Sequence, residues 1–143
     1  MPCAADLVVH AAIHLLADGD LAGGLRNLWD IDRLLREFAE ADADFWLRLT
    51  ARAAEHGATD AVMLAARLCR ALFATPVPEG WRAARAGDAL FRRRLLARDG
   101  WGRETRGGVR LAFYIRSHWL RMPPLLLARH LSIKAWKRVR ARS

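Results

Sequence analysis

The chain of 143 residues holds only two cysteines, Cys3 and Cys69, and two thiols cannot build the disulfide framework of a small secreted fold. A reducing cytoplasm is therefore the expected compartment, with at most a peripheral position on the inner membrane. No basic stretch precedes the first apolar segment, and that segment contains Asp6 and two histidines, which argues against a signal peptide. Long hydrophobic runs are also missing. The uncharged stretch over 7–17 is 11 residues, whereas a bilayer-spanning helix needs roughly 20. No segment alternates with period two and no internal repeat recurs, so neither strands nor a solenoid is expected. There is no G-x-S-x-G nucleophile turn and no G-x-x-x-x-G-K-[ST] phosphate loop.

What is present points to helix. Hydrophobic residues make up 53% of the chain and charged residues 27%, with Ala, Leu and Arg dominant. That mixture is globular and favours helix, because these three residue types lose little freedom on entering one. Charge is unevenly placed. Residues 1–80 hold seven Arg and 12 Asp or Glu, whereas residues 81–143 hold 17 Lys or Arg and three acids. An acidic front and a basic back can attract each other, or the back can attract a polyanion.

The apolar periodicity divides the chain into helices. Val8, Val9, Ile13, Leu15 and Leu16 surround His10 and His14, and a buried helix of about four turns is expected to end near Asp18-Gly19-Asp20. Gly23-Gly24 opens a second helix with Leu28, Ile31, Leu35 and Phe38 as its buried stripe. Asp42 or Asp44 can cap a third, with Trp46, Leu49 and Ala53 inward and Gly57 just past its end. Thr59 can cap a fourth, with Val62, Ala65, Cys69 and Leu72 on one face. Pro76 and Pro78 stop it. Beyond this break a basic helix over 81–98, another over 109–122 ended by Pro123-Pro124, and a last one running towards Arg142 are expected. The predicted fold is all-α, an irregular bundle of about six or seven helices. Residues 1–78 form an acidic four-helix core and 79–143 a basic C-terminal extension packed with it as one domain.

Few constellations carry chemistry. His10 and His14 lie one turn apart, a spacing that can bind zinc, but the glutamate of H-E-x-x-H is replaced by alanine. Packed histidines hydrogen-bonded to neighbours are the plainer reading, with Asp6 one turn before His10 as a partner. Asp30 and Asp32 make an Asp-x-Asp triplet, a magnesium-holding pattern on a strand or loop. On a helix they point about 200° apart. Ion pairs on the helix surface, with Arg26, Arg33 and Arg36 at helical spacing, account for them better. Ser117 and His118 are adjacent and, on a helix, face different ways.

The basic half remains. Arg92, Arg93, Arg94, Arg98, Arg103 and Arg106 precede a stripe of Arg110, Tyr114, Ser117 and Arg121, and Lys134, Lys137, Arg138, Arg140 and Arg142 close the chain. Trp119 and Trp136 are interleaved. Three readings stay open: a solvated face with core tryptophans, a surface for nucleic acid or nucleotide phosphate, and contact with anionic lipid.

Asp6-Leu-Val-Val-His10-Ala-Ala-Ile-His14 and Asp18-Gly-Asp-Leu-Ala-Gly-Gly-Leu25-Arg-Asn-Leu-Trp-Asp30-Ile-Asp32 resemble a bacterial family of uncharacterised nucleotidyltransferases, often found with surface-polysaccharide or exosortase gene clusters. Phe45-Trp46, Cys69-Arg70 with Thr75-Pro-Val-Pro78, and the run from Tyr114 to Pro123 look like the same family. The resemblance implies transfer of a nucleoside monophosphate from a nucleoside triphosphate to an acceptor. It also implies a small mixed-sheet core, N-terminal to these helices, whose Gly-Ser motif holds phosphate and whose carboxylates hold magnesium.

That core has no counterpart in this sequence. The expectation is a helical accessory or substrate-covering part, inactive alone, with Mg²⁺ and nucleoside triphosphate entering only with a catalytic core that is upstream or separately encoded. No catalytic residue and no metal ligand is assigned. Arg110, Tyr114, Arg121, His10 and His14 are the candidates for binding a phosphate-bearing substrate. The alternative is a basic helical adaptor that binds nucleic acid or an anionic membrane surface without chemistry.

Overall fold

A computed structural model describes residues 3–17, 21, 23–97, 103, 105, 107–119 and 126. Among them every regular element is helical: α1 (Ala4–Ala17), α2 (Gly24–Ala41), α3 (Phe45–Glu55), α4 (Thr59–Phe73), a 3-10 turn (Glu79–Trp81), α5 (Asp88–Leu95) and α6 (Gly107–Trp119). The all-α expectation holds, while the predicted last helix lies outside the described residues. No helix among them is long and apolar enough to cross a membrane.

The 3.6-residue period decides which face of each helix turns inward. Helix α2 buries Leu28, Ile31 and Leu35 and half-buries Phe38, as its spacing predicts. Helix α3 buries Phe45, Leu49 and Ala53, and α4 buries Val62, Ala65 and Cys69. Helix α1 differs from expectation. Its buried face is Ala5, Val8, Val9, Ala12, Leu15 and Leu16, while Leu7, Ile13 and both histidines are exposed. Because α2, α3 and α4 all pack on α1 from one side, the opposite side stays wet however apolar it is.

Two glycines do specific work. A Cβ on Gly24 would stand 3.0 Å from Leu95 Cδ2 and 3.1 Å from Leu15 Cδ1, so the start of α2, the end of α1 and the end of α5 meet there. Gly57 follows α3 with φ +61°, the left-handed conformation predicted for that position. Helix α4 ends on Ala74 at φ 57°, whose N–H donates to Arg70 O at 3.1 Å. Pro76 and Pro78 then keep the chain extended.

The predicted basic helix over 81–98 is corrected to the short 3-10 turn, an irregular stretch, and α5 alone. Trp81 explains the early turn. Its ring packs edge-on against Trp46 at 5.3 Å, and Trp46 in turn meets Phe45, which anchors the segment to α3 and stops it from continuing as a helix. Helix α6 docks on α5 through Phe91 and Phe113, whose rings meet edge-on at 5.2 Å, with the Arg116 guanidinium 5.2 Å above Phe91. Leu95 and Phe113 join the same buried cluster as α1–α4.

Replacing Phe45 with Ala should cost about 3–5 kcal/mol of unfolding free energy, as for other buried aromatics. Leu47→Ala, two residues away and 73% exposed, should change stability by less than about 0.5 kcal/mol. Urea denaturation of both variants checks the inward face of α3.

Candidate functional site

The acids of the N-terminal half are the first groups to place, since only clustered carboxylates could hold a catalytic metal. Asp6 accepts from Arg52 Nε at 2.6 Å, with His56 Nε2 3.8 Å away. Its expected partner His10 is not the one it takes: Asp6 projects towards α3, while His10 lies on the wet face of α1. Asp42 pairs with Arg48, and Asp60 with Arg85. Asp32 departs most from the surface ion pair expected of it. It is 4% exposed and accepts from Arg36 Nε at 2.8 Å and from the Thr75 hydroxyl at 2.6 Å, while Arg36 Nη2 reaches Phe73 O at 2.7 Å. This network staples the chain leaving α4 back onto α2. Asp30 is exposed on another side of the same helix. The two acids of the Asp-x-Asp triplet therefore have separate surroundings, and among the described residues no three His, Cys, Asp or Glu gather as metal ligands would.

His10 and His14 stack at 6.3 Å between ring centroids, both exposed, which overturns their reading as packed residues. Cys69 is buried, and burial pushes its thiol well above the ordinary range, with the Asp32 charge adding to the effect, so it stays protonated and inert. On α6, Arg110 is exposed and Tyr114 half-buried, with its ring against His118 at 4.1 Å; Arg121 lies outside the described residues. Helix α6 packs chiefly on α5, and α1 on α2, α3 and α4, so these site residues fall on two separate surfaces. Ser117 and His118 do approach, contrary to expectation, with Oγ 3.2 Å from Nδ1. Both fold back onto the preceding turn. Ser117 Oγ donates to Tyr114 O at 2.9 Å, and His118 Nδ1 lies 2.9 Å from the same oxygen. With both groups turned to one carbonyl, neither serves as nucleophile and base for the other. Trp119, which one of the three open readings put in the core, is 61% exposed, and Trp136 lies outside the described residues.

A concentration of one charge among the described residues lies elsewhere. Arg67, Arg70, Arg82, Arg85 and Arg92 line a cleft of about 230 Å³ between α4 and α5, with Asp88 as its one carboxylate. Arg67 is buried at 7% exposure and grips Asp88 with two bonds, Nε to Oδ2 at 2.7 Å and Nη2 to Oδ1 at 3.1 Å. The Arg85 backbone N–H also donates to Asp88 Oδ2, at 3.1 Å. Arg82 Nε donates to Val77 O at 3.0 Å, which holds its side chain along the wall. A second, wider concavity of about 680 Å³ between α2 and α3 is lined by Arg33, Arg36, Glu37, Glu40, Trp46 and Pro76, and its charges balance.

Of the basic run 92–94, Arg92 opens on the cleft, Arg93 is exposed, and Arg94 is buried. Sequence reading missed Arg67 and Arg70 because they lie in the acidic half, inside an apolar helix. A signal existed. An arginine flanked by Ala65, Ala66, Leu68 and Cys69 must find a carboxylate to be buried at all.

A family model described as uncharacterised nucleotidyltransferase matches residues 1–74, which run from the start of α1 through the whole of α4. The chain belongs to this family. No curated protein and no solved structure matches the chain. The matched segment holds the acid–arginine pairs of α1–α4 and contributes Arg67 and Arg70 to the cleft, whereas Arg82, Arg85, Asp88 and Arg92 come from beyond it.

The Arg67 guanidinium holds the Asp88 carboxyl below the usual carboxylate range, with burial opposing and the Arg85 N–H assisting. A depressed carboxylate stabilises the fold above its unfolded pKa of about 3.9, and that contribution fades as pH falls through the folded value. Asp88→Asn should therefore be less stable than the parent at neutral pH, and the two stabilities should converge below about pH 3. Urea midpoints across this interval check it.

Proposed function

We propose that the chain is the helical, substrate-covering portion of a nucleotidyltransferase, C-terminal to the mixed-sheet core that performs transfer, and that it turns over no nucleotide by itself. The observation that carries this reading is the engagement of five of its aspartates. Transfer of a nucleoside monophosphate relies on acids that clamp metal ions against the phosphates. Asp6, Asp32, Asp42, Asp60 and Asp88 are each held by an arginine instead. Among the described residues the helices form no sheet. Mg²⁺ and nucleoside triphosphate enter with the core, whether joined to this chain or separately encoded.

In that arrangement the helices contribute positioning and positive charge. Arg110 on α6, with Arg121 further along the chain, neutralises substrate phosphate, and Tyr114 lines the same approach. His10 and His14 offer polar contacts from α1, where their exposure leaves both rings free to meet a partner domain or substrate. The protein works in the cytoplasm, at most against the inner-membrane surface, in keeping with cysteines that stand free on α1's N-terminal side and in the core. A second reading, a basic adaptor for nucleic acid or anionic membrane without chemistry, draws on the exposed Trp119 at the end of α6.

The chain alone, supplied with Mg²⁺ and the four nucleoside triphosphates, should release no pyrophosphate. Joined to a catalytic core of its family, it should support transfer, and Arg110→Ala with Arg121→Ala should lower kcat/KM by about a hundredfold, the worth of two charge-assisted contacts. Full activity in that double variant, or turnover by the chain alone, contradicts the reading. Tight, salt-sensitive binding to DNA or anionic vesicles without effect on transfer would favour the adaptor.

A further inference from the structure

We propose that the cleft between α4 and α5 is a binding site for the terminal phosphate or diphosphate group of a small phosphorylated molecule. The inference is independent of the transfer reaction and is read by binding alone.

Charge bookkeeping within the cleft carries the argument. Asp88 is the one carboxylate on its wall among the described residues, and both its oxygens are taken up by Arg67 and the Arg85 N–H. Arg85 Nη1 reaches outward to Asp60 at 2.9 Å, a pair whose side chains are 57% and 87% exposed. Such an exposed pair contributes little and yields readily to a competing anion. The side chains of Arg70 and Arg92 make no hydrogen bond or ion pair with any described residue, and the Arg82 side chain uses only Nε, on a backbone carbonyl. Arg70, Arg82 and Arg92 thus face one small concavity with no carboxylate among the described residues to offset them. Like charges gathered around one concavity repel one another and focus a positive potential there, and an anion relieves both.

Size and wall chemistry define the anion. Planar guanidinium groups fit phosphate oxygens two at a time, which lysine does not. A volume of about 230 Å³ lies below the roughly 300–1,000 Å³ of pockets that enclose a whole drug-sized ligand. The remaining wall is Leu68, Ala71, Ala84 and Ala89, with no aromatic ring among the described residues on which a base could stack. The phosphate end of a ligand therefore enters, and the rest of the molecule stays outside. The wider hollow beside Trp46 lacks this property, since Glu37 and Glu40 cancel Arg33 and Arg36.

The arrangement is also built rather than adventitious in its framework. Arg67 is buried and bidentate to Asp88, so α5 and its neighbouring loop are fixed against α4, and Arg70 and Arg92 are presented from the two opposed helices. Arg67 is a positioning residue here. Its removal would leave Asp88 unpaired and unfold the joint, so the test avoids it.

The full chain is titrated calorimetrically with inorganic pyrophosphate at moderate salt. One pyrophosphate per chain should bind, and Arg70→Ala with Arg92→Ala should weaken it by about a hundredfold, from two lost charge-assisted contacts. Arg93→Ala, which removes one positive charge from the exposed run beside the cleft, should change affinity by less than about threefold. Both variants lie on the surface and should keep the parental unfolding midpoint, which circular dichroism verifies. Equal losses in the Arg93 variant and the cleft variant would reduce the effect to net charge and overturn the assignment, as would binding of several pyrophosphates without saturation. Displacement of pyrophosphate by a short oligonucleotide or by anionic vesicles, at matched phosphate concentration and with higher affinity, would also overturn it in favour of an extended polyanion. Loss of transfer activity plays no part in these outcomes, so failure of the proposed enzymatic role leaves the binding result standing or falling on its own.

Discussion

Arg67 and Asp88 meet where α4 faces α5, joined by two hydrogen bonds and largely removed from water. Burying either charge alone would cost several kcal/mol, so each is tolerable only because the other is there. Much depends on this pair. Arg67 belongs to the fourth helix of an acidic bundle, and Asp88 opens the first helix of a basic segment. The pair is thus a point at which the two differently charged parts of the chain are locked together. It also takes up the carboxylate that lines the cleft, which leaves Arg70, Arg82 and Arg92 with none to offset them among the described residues.

The general attraction expected between an acidic front and a basic back resolves into specific contacts of this kind. Arg85 reaches Asp60, Arg67 reaches Asp88, and Phe91 with Leu95 brings α5 to the apolar core. Three other arginines of the acidic half serve its own acids: Arg52 holds Asp6, Arg36 holds Asp32, and Arg48 holds Asp42. Asp32 is the most constrained of them, because the Thr75 hydroxyl donates to it while Arg36, which also holds it, reaches Phe73 O, and together these bonds tie α2 to the chain leaving α4. Such uses of carboxylate are structural.

The helical fold was legible because its signals are local. The Leu28, Ile31, Leu35 stripe, the Gly57 turn and the Pro76–Pro78 stop each act within a few residues, and each appears where periodicity and backbone chemistry put it. What failed depended on distant partners. A helix over 81–98 suits the local composition, but the Trp81 ring is captured by Trp46 from α3, and no local rule contains that contact. His10 and His14 lie in an apolar run, yet only the side on which α2, α3 and α4 gather could say that they are exposed. The cleft was invisible for the same reason. Its arginines come from both sides of the proline break, and a search for basic runs finds 92–94 but not a hollow completed by Arg67 and Arg70 from an apolar helix.

If the Arg67–Asp88 pair joins the two parts of the chain, its two members must be energetically coupled well beyond a surface contact. A double-mutant cycle with Arg67→Met and Asp88→Asn, read by urea denaturation at neutral pH, measures that coupling directly. The structure predicts about 2 kcal/mol or more, against the roughly 0.2–1 kcal/mol of exposed pairs. A coupling indistinguishable from zero, with each single variant as stable as the parent, would contradict the account.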